Sequence, residues 1–291
     1  MFPKELAKKI KLFEIRTRKL MQAGLSGEYR SVFRGRGIEF DEVRLYAPGD
    51  DARLIDWNVT ARTGTLHIKK HTEEREQTVI FAVDLSRSQD FGSIAKTKRD
   101  IAAEICCILS FAAALNNDRV GLLLFTDKIE KYVPPARGAR HALRIVRDLL
   151  YHRPSSAGTS IARALDYLNR VVRRSAVLFL VSDFISPNFD KQLAISSRKH
   201  DVIAISLADP MEEVIQPAGL VTFVDAETGE RVIVDSSHRL SRRLGQDRLR
   251  RERQERLSLF RRLSIDHLEV RTEAPYDAQL RRLFAARAQR L

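Results

Sequence analysis

Thr78-Val-Ile-Phe-Ala-Val-Asp-Leu-Ser-Arg-Ser88 is the stretch from which the fold of this chain is predicted. Residues 78–83 form a continuous run of mostly β-branched and aromatic side chains. Such a run is typical of a strand that is buried on both faces, because helices cover both sides of a parallel sheet. The polar residues that follow, from Asp84 to Ser88, then lie just beyond the carboxyl end of a buried strand.

Beyond this stretch the chain alternates predicted strands with predicted helices. Strands are expected at 119–125, 129–133, 176–181, 202–207, 220–225, 231–235 and 267–271, and helices at 94–116, 138–151, 160–173, 188–199, 237–264 and 278–290. This alternation predicts an α/β fold with a doubly wound, mostly parallel sheet. In such sheets ligands bind beyond the carboxyl ends of the strands, where the strand order reverses.

The first 76 residues do not follow this pattern. Residues 1–23 place apolar side chains at helical spacing opposite a Lys/Arg-rich face, which predicts a helix ending at Gly24. Residues 25–76 are rich in turn residues and opposed charges, and they predict a small non-helical subregion with short strands. We therefore divide the chain into residues 1–76 and an α/β domain at residues 77–291.

The composition is that of a globular protein with a basic balance. Hydrophobic residues make up 44% and charged residues 31%, and 51 basic against 38 acidic residues give a net charge of +13. This charge favours an acidic partner, whether nucleic acid, anionic lipid or protein. Cys106 and Cys107 are adjacent in an apolar run and are expected to be reduced core residues. Neither a signal-peptide pattern nor an apolar run long enough for a membrane span occurs, so we expect a cytoplasmic protein.

Oxygen-bearing side chains cluster at the ends of the predicted strands. Asp84, Ser86 and Ser88 are spaced two apart and therefore point to the same side of an extended chain. Thr159 precedes a predicted helix, and Asp183 follows the predicted strand 176–181. Hydroxyl and carboxylate oxygens suit Mg²⁺, with Mn²⁺ as an alternative. With only two carboxylates among five ligands, such an ion keeps an open position that a carboxylate of another protein could fill. The competing interpretation is a polar loop in which Asp84 caps a turn.

This set of residues resembles the metal-ion-dependent adhesion site of von Willebrand factor A domains. Asp84-x-Ser86-x-Ser88, then Thr159, then Asp183 match the five ligand types of that site in the family's order. The resemblance covers residues from Gln77 onward. It implies a von Willebrand factor A-like fold, a bound Mg²⁺ and binding of a protein partner instead of catalysis.

A second resemblance lies in the preceding segment. Gly37-Ile-Glu-Phe-Asp-Glu-Val-Arg-Leu-Tyr-Ala-Pro-Gly-Asp-Asp-Ala-Arg-Leu-Ile-Asp-Trp57, continuing through Ala61-Arg62, resembles the signature of the bacterial family called domain of unknown function 58. Members are typically encoded beside MoxR-type AAA+ ATPases, which implies a role as partner or adaptor of such an ATPase. Many relatives also carry membrane helices.

The signature segment permits two interpretations from its residues alone. Its charges alternate in sign around Trp57, the only tryptophan of the chain; they are Asp50, Asp51, Arg53, Asp56 and Arg62. One interpretation is a docking surface that communicates with the metal site. The other, which we prefer, is a salt-bridged turn that packs Trp57 against the main domain.

The predicted helix at 237–264 is strongly basic and suggests the alternative function. Its arginines could track the phosphates of a nucleic acid. The other interpretation is a solvated helix with charge pairs such as Glu252 with Arg256. Phe260 is the only aromatic residue of this helix, which argues against base stacking.

Catalysis is not expected from this sequence. No phosphate-binding Gly-x-x-x-x-Gly-Lys-Ser/Thr loop is present. Phosphatases that begin with a strand-end Asp generally carry a second Asp two residues later, where this chain has Ser86. No nucleophile stands beside a general base, so we predict a binding protein and not an enzyme.

Overall fold

The computed structural model describes Tyr29, Val32 and residues 39–72, 76–94, 96–213 and 216–290. Its central feature is a six-stranded sheet with the order β10-β7-β6-β3-β4-β5. The strands are β3 (Thr78–Asp84), β4 (Arg119–Phe125), β5 (Ile129–Ala136), β6 (Val177–Ser182), β7 (Asp201–Ala208) and β10 (Asp266–Arg271). All neighbours pair in parallel except β4 and β5, two predicted strands that form an antiparallel hairpin. The predicted α/β fold with a mostly parallel sheet is confirmed.

The stretch that opens the fold behaves as its side chains predict. Residues from Val79 to Val83 in β3 are fully or almost fully buried, because helices cover both faces of the sheet. Phe81 stacks on Phe179 of β6 with ring centroids 5.3 Å apart. β3 therefore forms the centre of the core.

Helices fill the connections between the strands. They are α2 (Lys98–Leu115), α3 (Ala139–Tyr151), α4 (Ile161–Val171), α5 (Asp190–Lys199), the short α6 (Pro210–Glu213), α7 (Arg239–Arg262) and α8 (Asp277–Ala288). α2 begins with a capping box in which Thr97 and Asp100 satisfy each other's backbone N–H groups. Cys106 and Cys107 of α2 form no disulfide and are completely buried, as expected.

A second hairpin leaves the central sheet between α6 and α7. It consists of β8 (Leu220–Val224) and β9 (Arg231–Asp235), paired antiparallel. The Ser236 hydroxyl fixes its base by donating to the Gly219 carbonyl (2.8 Å) and accepting from the Ala218 N–H (2.9 Å). Both of its strands were predicted from the sequence.

The region of the signature segment contains a helix that the sequence prediction missed. β1 (Glu39–Leu45) and β2 (His67–Thr72) form an antiparallel pair, and α1 (Trp57–Thr63) lies between them in the chain. The Asp56 carboxylate caps the amino end of α1, and Gly64 ends it with a φ of 75°. The expectation of a wholly non-helical subregion was therefore wrong.

The Trp57 side chain is 67% exposed, and its packing against the main domain stays a prediction. The salt-bridged turn itself is present, because Arg44 binds Asp50 at 2.7 Å and Arg53 binds Asp51 at 3.1 Å.

The chain divides into two compact units, Phe33–Gln77 and a unit that includes Thr78–Leu291. Tyr29 belongs with the larger unit, where it packs edge-on against Phe284 and donates to Asp118. The predicted helix at residues 1–23 lies outside the described residues, so the division into 1–76 and 77–291 stays a prediction. Within the described ranges, no helix is both long and apolar enough to cross a membrane.

Candidate metal centre

The candidate site lies where the strand order of the sheet reverses. β3 continues to β4 and β5 on one side, and β6, β7 and β10 follow on the other. Asp84 is the last residue of β3, and Asp183 directly follows β6, the parallel neighbour of β3. Two carboxylates thus meet at the switch point, where doubly wound sheets bind their ligands.

Hydrogen bonds join four of the five predicted residues into one cluster. Asp84 Oδ1 accepts from the Ser86 N–H at 2.8 Å. Ser86 Oγ lies 3.0 Å from Ser88 Oγ, which donates to Asp183 Oδ2 at 2.8 Å. The second oxygen of Asp84 accepts from the Ser182 hydroxyl at 2.7 Å.

Thr159 lies in the loop between α3 and α4, just before a helix, as the sequence predicted. Unlike Asp84 and Asp183, it does not directly follow a strand. Two backbone bonds hold this loop at the edge: the Ser160 N–H donates to the Thr126 carbonyl just after β4, and the Arg87 N–H donates to the Ala157 carbonyl. The loop is therefore anchored both to the end of β4 and to the Asp84–Ser88 turn.

A buried lysine is the site residue that sequence reasoning missed most clearly. Lys98 has no exposed surface, and its Nζ lies 3.0 Å from Asp183 Oδ2 and 2.6 Å from Glu212 Oε1. Burial disfavours its charge, but Asp183 and Glu212 outweigh that effect and raise the pKa of Lys98. A positive charge in the first turn of a helix interacts unfavourably with the helix dipole. The position of Lys98 could therefore have indicated from the sequence that this residue does not stabilise the helix and has another role.

The electrostatics of the site favour a bound cation. Asp84 is almost completely buried, and burial together with the nearby Asp183 carboxylate raises its pKa to about 7. Among the described residues, no group of three or more His, Cys, Asp or Glu side chains could hold a metal. Two carboxylates with hydroxyls as the remaining donors instead form a hard-oxygen set, which fits Mg²⁺ and does not fit a thiolate- or imidazole-bound metal.

A further carboxylate enters from the second hairpin. Glu227, in the turn between β8 and β9, accepts from the Thr159 hydroxyl through Oε1 at 2.5 Å. Its Oε2 accepts from the Thr159 N–H at 3.0 Å. No sequence pattern indicated this contact, because the two residues are 68 positions apart and no motif links the turn to the site.

Some residues of the basic helix α7 contact the rest of the protein. We had expected Glu252 to pair with Arg256. It forms an ion pair with Arg248 instead, at 2.8 Å. Arg256 instead donates to the Asp183 carbonyl at 3.2 Å, so α7 contacts the chain beside the site. Phe260 is buried and packs against Phe184, which leaves it unavailable for stacking on a base.

Comparisons with known proteins give a family but no activity. Residues 42–255 match the family described as "Protein of unknown function DUF58". "Uncharacterized protein Rv1480" of Mycobacterium tuberculosis is 32% identical over 228 residues, which cover 77% of this chain and 72% of that protein. "Uncharacterized protein Mb1516" of Mycobacterium bovis has the same identity and coverage.

The solved structures that match this chain are distant in sequence. The conserved hypothetical protein BatB from Bacteroides thetaiotaomicron has a TM-score of 0.45 at 13% identity, covering 73% of this chain and 99% of that one. The SpRpn10 VWA domain has a TM-score of 0.38 at 11% identity, with coverage of 71% and 94%.

Proposed function

Given that the chain belongs to the DUF58 family of proteins of unknown function, we propose that it is a Mg²⁺-dependent protein-binding module. Its partner supplies an acidic side chain, and a MoxR-type AAA+ ATPase or a client of that ATPase is the partner we favour. The ligands of the ion, with Mn²⁺ as a substitute, are Asp84, Ser86, Ser88, Thr159 and Asp183.

The observation that carries this proposal is the continuous cluster from Asp84 to Asp183. Two buried carboxylates lie with a pair of serine hydroxyls at the switch point of the sheet, where burial and the neighbouring Asp183 raise the pKa of Asp84. A divalent cation would remove that repulsion. It would also satisfy the hydroxyl oxygens, which now bond to one another.

The charge of the ligand set explains why the module would bind an acidic partner. Two carboxylates only just neutralise a divalent ion, and Lys98 already engages one of them. The ion therefore stays electrophilic and supplies a coordination position for an additional oxygen ligand. A carboxylate from a partner protein matches that position in both charge and hardness.

A binding experiment with and without metal tests the proposal. The purified protein would be used to retain the AAA+ ATPase encoded in the same organism, with Mg²⁺ or with EDTA. We expect retention by the wild type with Mg²⁺ only, and loss of retention for Asp84→Asn. Asp90→Asn serves as the matched control, since Asp90 is a nearby carboxylate with a 54% exposed side chain.

Equal retention of the ATPase by all variants, with or without Mg²⁺, would contradict the metal-dependent part of the proposal. Failure of Mg²⁺ and Mn²⁺ to bind the wild type in a calorimetric titration would overturn it entirely.

The alternative function is nucleic-acid binding through the arginines of α7. Several of them remain exposed, among them Arg243 and Arg248 with side chains 80% and 82% exposed. Binding of this kind would weaken steeply with salt and would not depend on Mg²⁺ or on Asp84. Filter binding of a short duplex at two salt concentrations distinguishes it from the first proposal.

A further inference from the structure

The central sheet has one protected edge and one open edge. β5, at one end of the strand order, carries Pro134 and Pro135, which have no N–H to donate to a further strand. β10, at the other end, contains no proline, and no further strand of the described residues pairs with it. An open edge of this kind presents backbone groups to which another extended chain can add.

The pairing of β10 with β7 shows which backbone groups of β10 face outward. The Thr272 N–H, directly after β10, donates to the Ala208 carbonyl of β7 at 3.0 Å. Because the backbone groups of an extended chain alternate in direction, those of His267 and Glu269 face away from β7. No hydrogen bond to another described residue occupies the N–H or C=O group of either one. Both residues are therefore available for pairing with an added strand.

A groove of about 730 Å³ lies along this open edge. Its walls are α7 and α8, which cover opposite faces of β10. His267 packs against Phe260 of α7, with ring centroids 5.0 Å apart. The side chain of Asp266 lies on the other face of the strand and pairs with Arg287 of α8. The edge of β10 thus forms the floor between two helical walls, a shape that accepts an extended chain.

The charges of this β10 groove favour an acidic occupant. The two acidic residues of the floor, Asp266 and Glu269, already pair with arginines of the protein. Each wall also carries an exposed arginine, Arg261 on α7 and Arg282 on α8, and neither forms an ion pair with another described residue. Two guanidinium groups on opposite walls therefore remain for the carboxylates of an occupant.

The β10 groove also contains an unused acceptor and apolar surface. Gln279 Oε1, on the α8 wall, is buried and has no hydrogen-bond partner within the described part of the chain. It can accept an N–H from an occupant. Leu257 of α7 and Leu283 of α8 supply apolar contacts on the two walls. In strand addition, main-chain bonds give affinity and the walls select alternate side chains.

We propose that the β10 groove binds an extended acidic segment of a partner protein, which adds to the sheet as a further strand. Its backbone pairs with His267 and Glu269. Adjacent acidic side chains reach Arg261 on one wall and Arg282 on the other, because successive side chains of a strand point to opposite faces. The floor is the amino-terminal half of β10, whereas the candidate metal centre lies beyond the carboxyl ends of β3 and β6. Binding in the groove therefore requires no metal ion.

A fluorescein-labelled peptide of sequence Thr-Val-Glu-Glu-Val-Thr is a suitable probe, since its two adjacent glutamates point to opposite walls. Fluorescence polarisation in EDTA measures its affinity for the full chain. We expect the wild type to bind it, and Arg261→Gln and Arg282→Gln each to bind it roughly tenfold more weakly, because each loses a charge-assisted hydrogen bond. Arg251→Gln, at an exposed arginine of α7 outside the groove, should match the wild type.

Proline substitution tests strand addition separately from charge. Glu269→Pro removes an outward N–H and leaves the pairing with β7 in place, whereas Glu269→Ala loses the same side chain and keeps the N–H. We expect Glu269→Ala to retain the peptide and Glu269→Pro to bind it roughly tenfold more weakly. Hydrogen exchange of the wild type gives a readout without substitution: the N–H groups of residues 267 and 269 should exchange rapidly in the free protein and slowly with the peptide bound.

Four results would overturn the proposal. They are no binding of the peptide by the wild type up to about 1 mM, equal binding of Thr-Val-Lys-Lys-Val-Thr, equal binding by the two groove arginine variants, and unchanged exchange at residues 267 and 269. Self-association of the free protein that Glu269→Pro abolishes, measured by sedimentation, would instead assign the open edge to a second copy of the chain. Binding of a short DNA duplex that depends on Arg261 and Arg282, without binding of the peptide, would assign these arginines to nucleic acid.

Discussion

The Nζ atom of Lys98 lies 3.0 Å from Oδ2 of Asp183, and neither side chain has more than 3% of its surface exposed. This ammonium group lies at the rim of the candidate metal centre and shares Asp183 with the Ser88 hydroxyl. It supplies one of the positive charges that the two carboxylates of the site require. A divalent ion would add two more, so Lys98 and the ion are expected to act on the same Asp183 carboxylate.

Replacing Lys98 with methionine should destabilise the protein strongly in the absence of metal. The substitution leaves Asp183 and the partly buried Glu212 without their cation, and breaking a buried pair in this way costs about 3 kcal/mol. Chemical denaturation in EDTA measures the loss. Mg²⁺ should restore part of it, so the rise in Tm on adding Mg²⁺ should be larger for Lys98→Met than for the wild type.

Lys191→Met is the matched control, since Lys191 is an exposed lysine of α5. Its free energy of unfolding should stay within about 0.5 kcal/mol of the wild type. A Lys98→Met protein as stable as this control would show that the buried ammonium is not needed.

Asp84→Asn is expected to stabilise the metal-free protein while abolishing its response to Mg²⁺. Burial and Asp183 raise the pKa of Asp84 to about 7, so its ionised form is unfavourable in the folded state at pH 8. Asparagine removes that charge but keeps an oxygen for the Ser86 N–H. The free energy of unfolding in EDTA at pH 8 should rise on the order of 1 kcal/mol, and the Mg²⁺-induced shift in Tm should disappear. A fall in stability would mean that the charged form is required by the Ser86 and Ser182 hydrogen bonds.

The parts of the fold that were predictable are those encoded in local patterns. The run at 78–83 indicated a strand buried on both faces, and β3 is that strand. Asp84, Ser86 and Ser88 lie together as expected, but the extended chain assumed for them was wrong, because Arg87–Asp90 form a 3₁₀ helix that contains Ser88. The helix α1 was missed because it has only seven residues, although Asp56 and Gly64 are recognisable cap residues.

The parts of the site that were not predictable depend on contacts between distant segments. Lys98 and Asp183 are 85 positions apart, and Thr159 and Glu227 are 68 apart. Neither pair belongs to a motif, and both depend on how the loops and the second hairpin pack over the sheet. The sequence pattern therefore predicted the oxygen ligands that follow the strands. It could not predict the side chains that surround those ligands, Lys98 and Glu227.

Gly92 should not tolerate alanine, because the chain passes close to itself between the site and α2. A Cβ at Gly92 would lie 2.4 Å from the Lys96 carbonyl oxygen and 2.7 Å from the Thr97 Cα. These are backbone atoms, so the start of α2 must shift and the position of Lys98 with it. We expect Gly92→Ala to lower the free energy of unfolding by about 2 kcal/mol, measured by denaturant titration.

Gly158→Ala is the control for this prediction, since a Cβ there would meet Asp127 at an ordinary 3.6 Å. It should change stability by less than about 0.5 kcal/mol. Equal effects of the two substitutions would contradict the assignment of the clash at Gly92.

Acid should destabilise the protein through His200. This side chain is 4% exposed, and neither ring nitrogen has a hydrogen-bond partner within the described part of the chain. Burial and the adjacent Lys199 lower its pKa to about 4. The unfolded chain, with a pKa near 6.5, binds the proton more readily, so the stability is fully present above pH 6.5 and is lost as the pH falls toward 4.

The full loss from His200 is about 3 kcal/mol. His200→Leu should therefore flatten the decline of unfolding free energy between pH 6.5 and pH 4, measured by denaturant titrations at several pH values. The decline should not vanish, because burial together with Arg256 and Arg253 also lowers the pKa of His267 to about 4. His238→Leu, at an exposed histidine, should keep the wild-type slope. An unchanged slope in His200→Leu would mean that this imidazole is protonated in the folded protein.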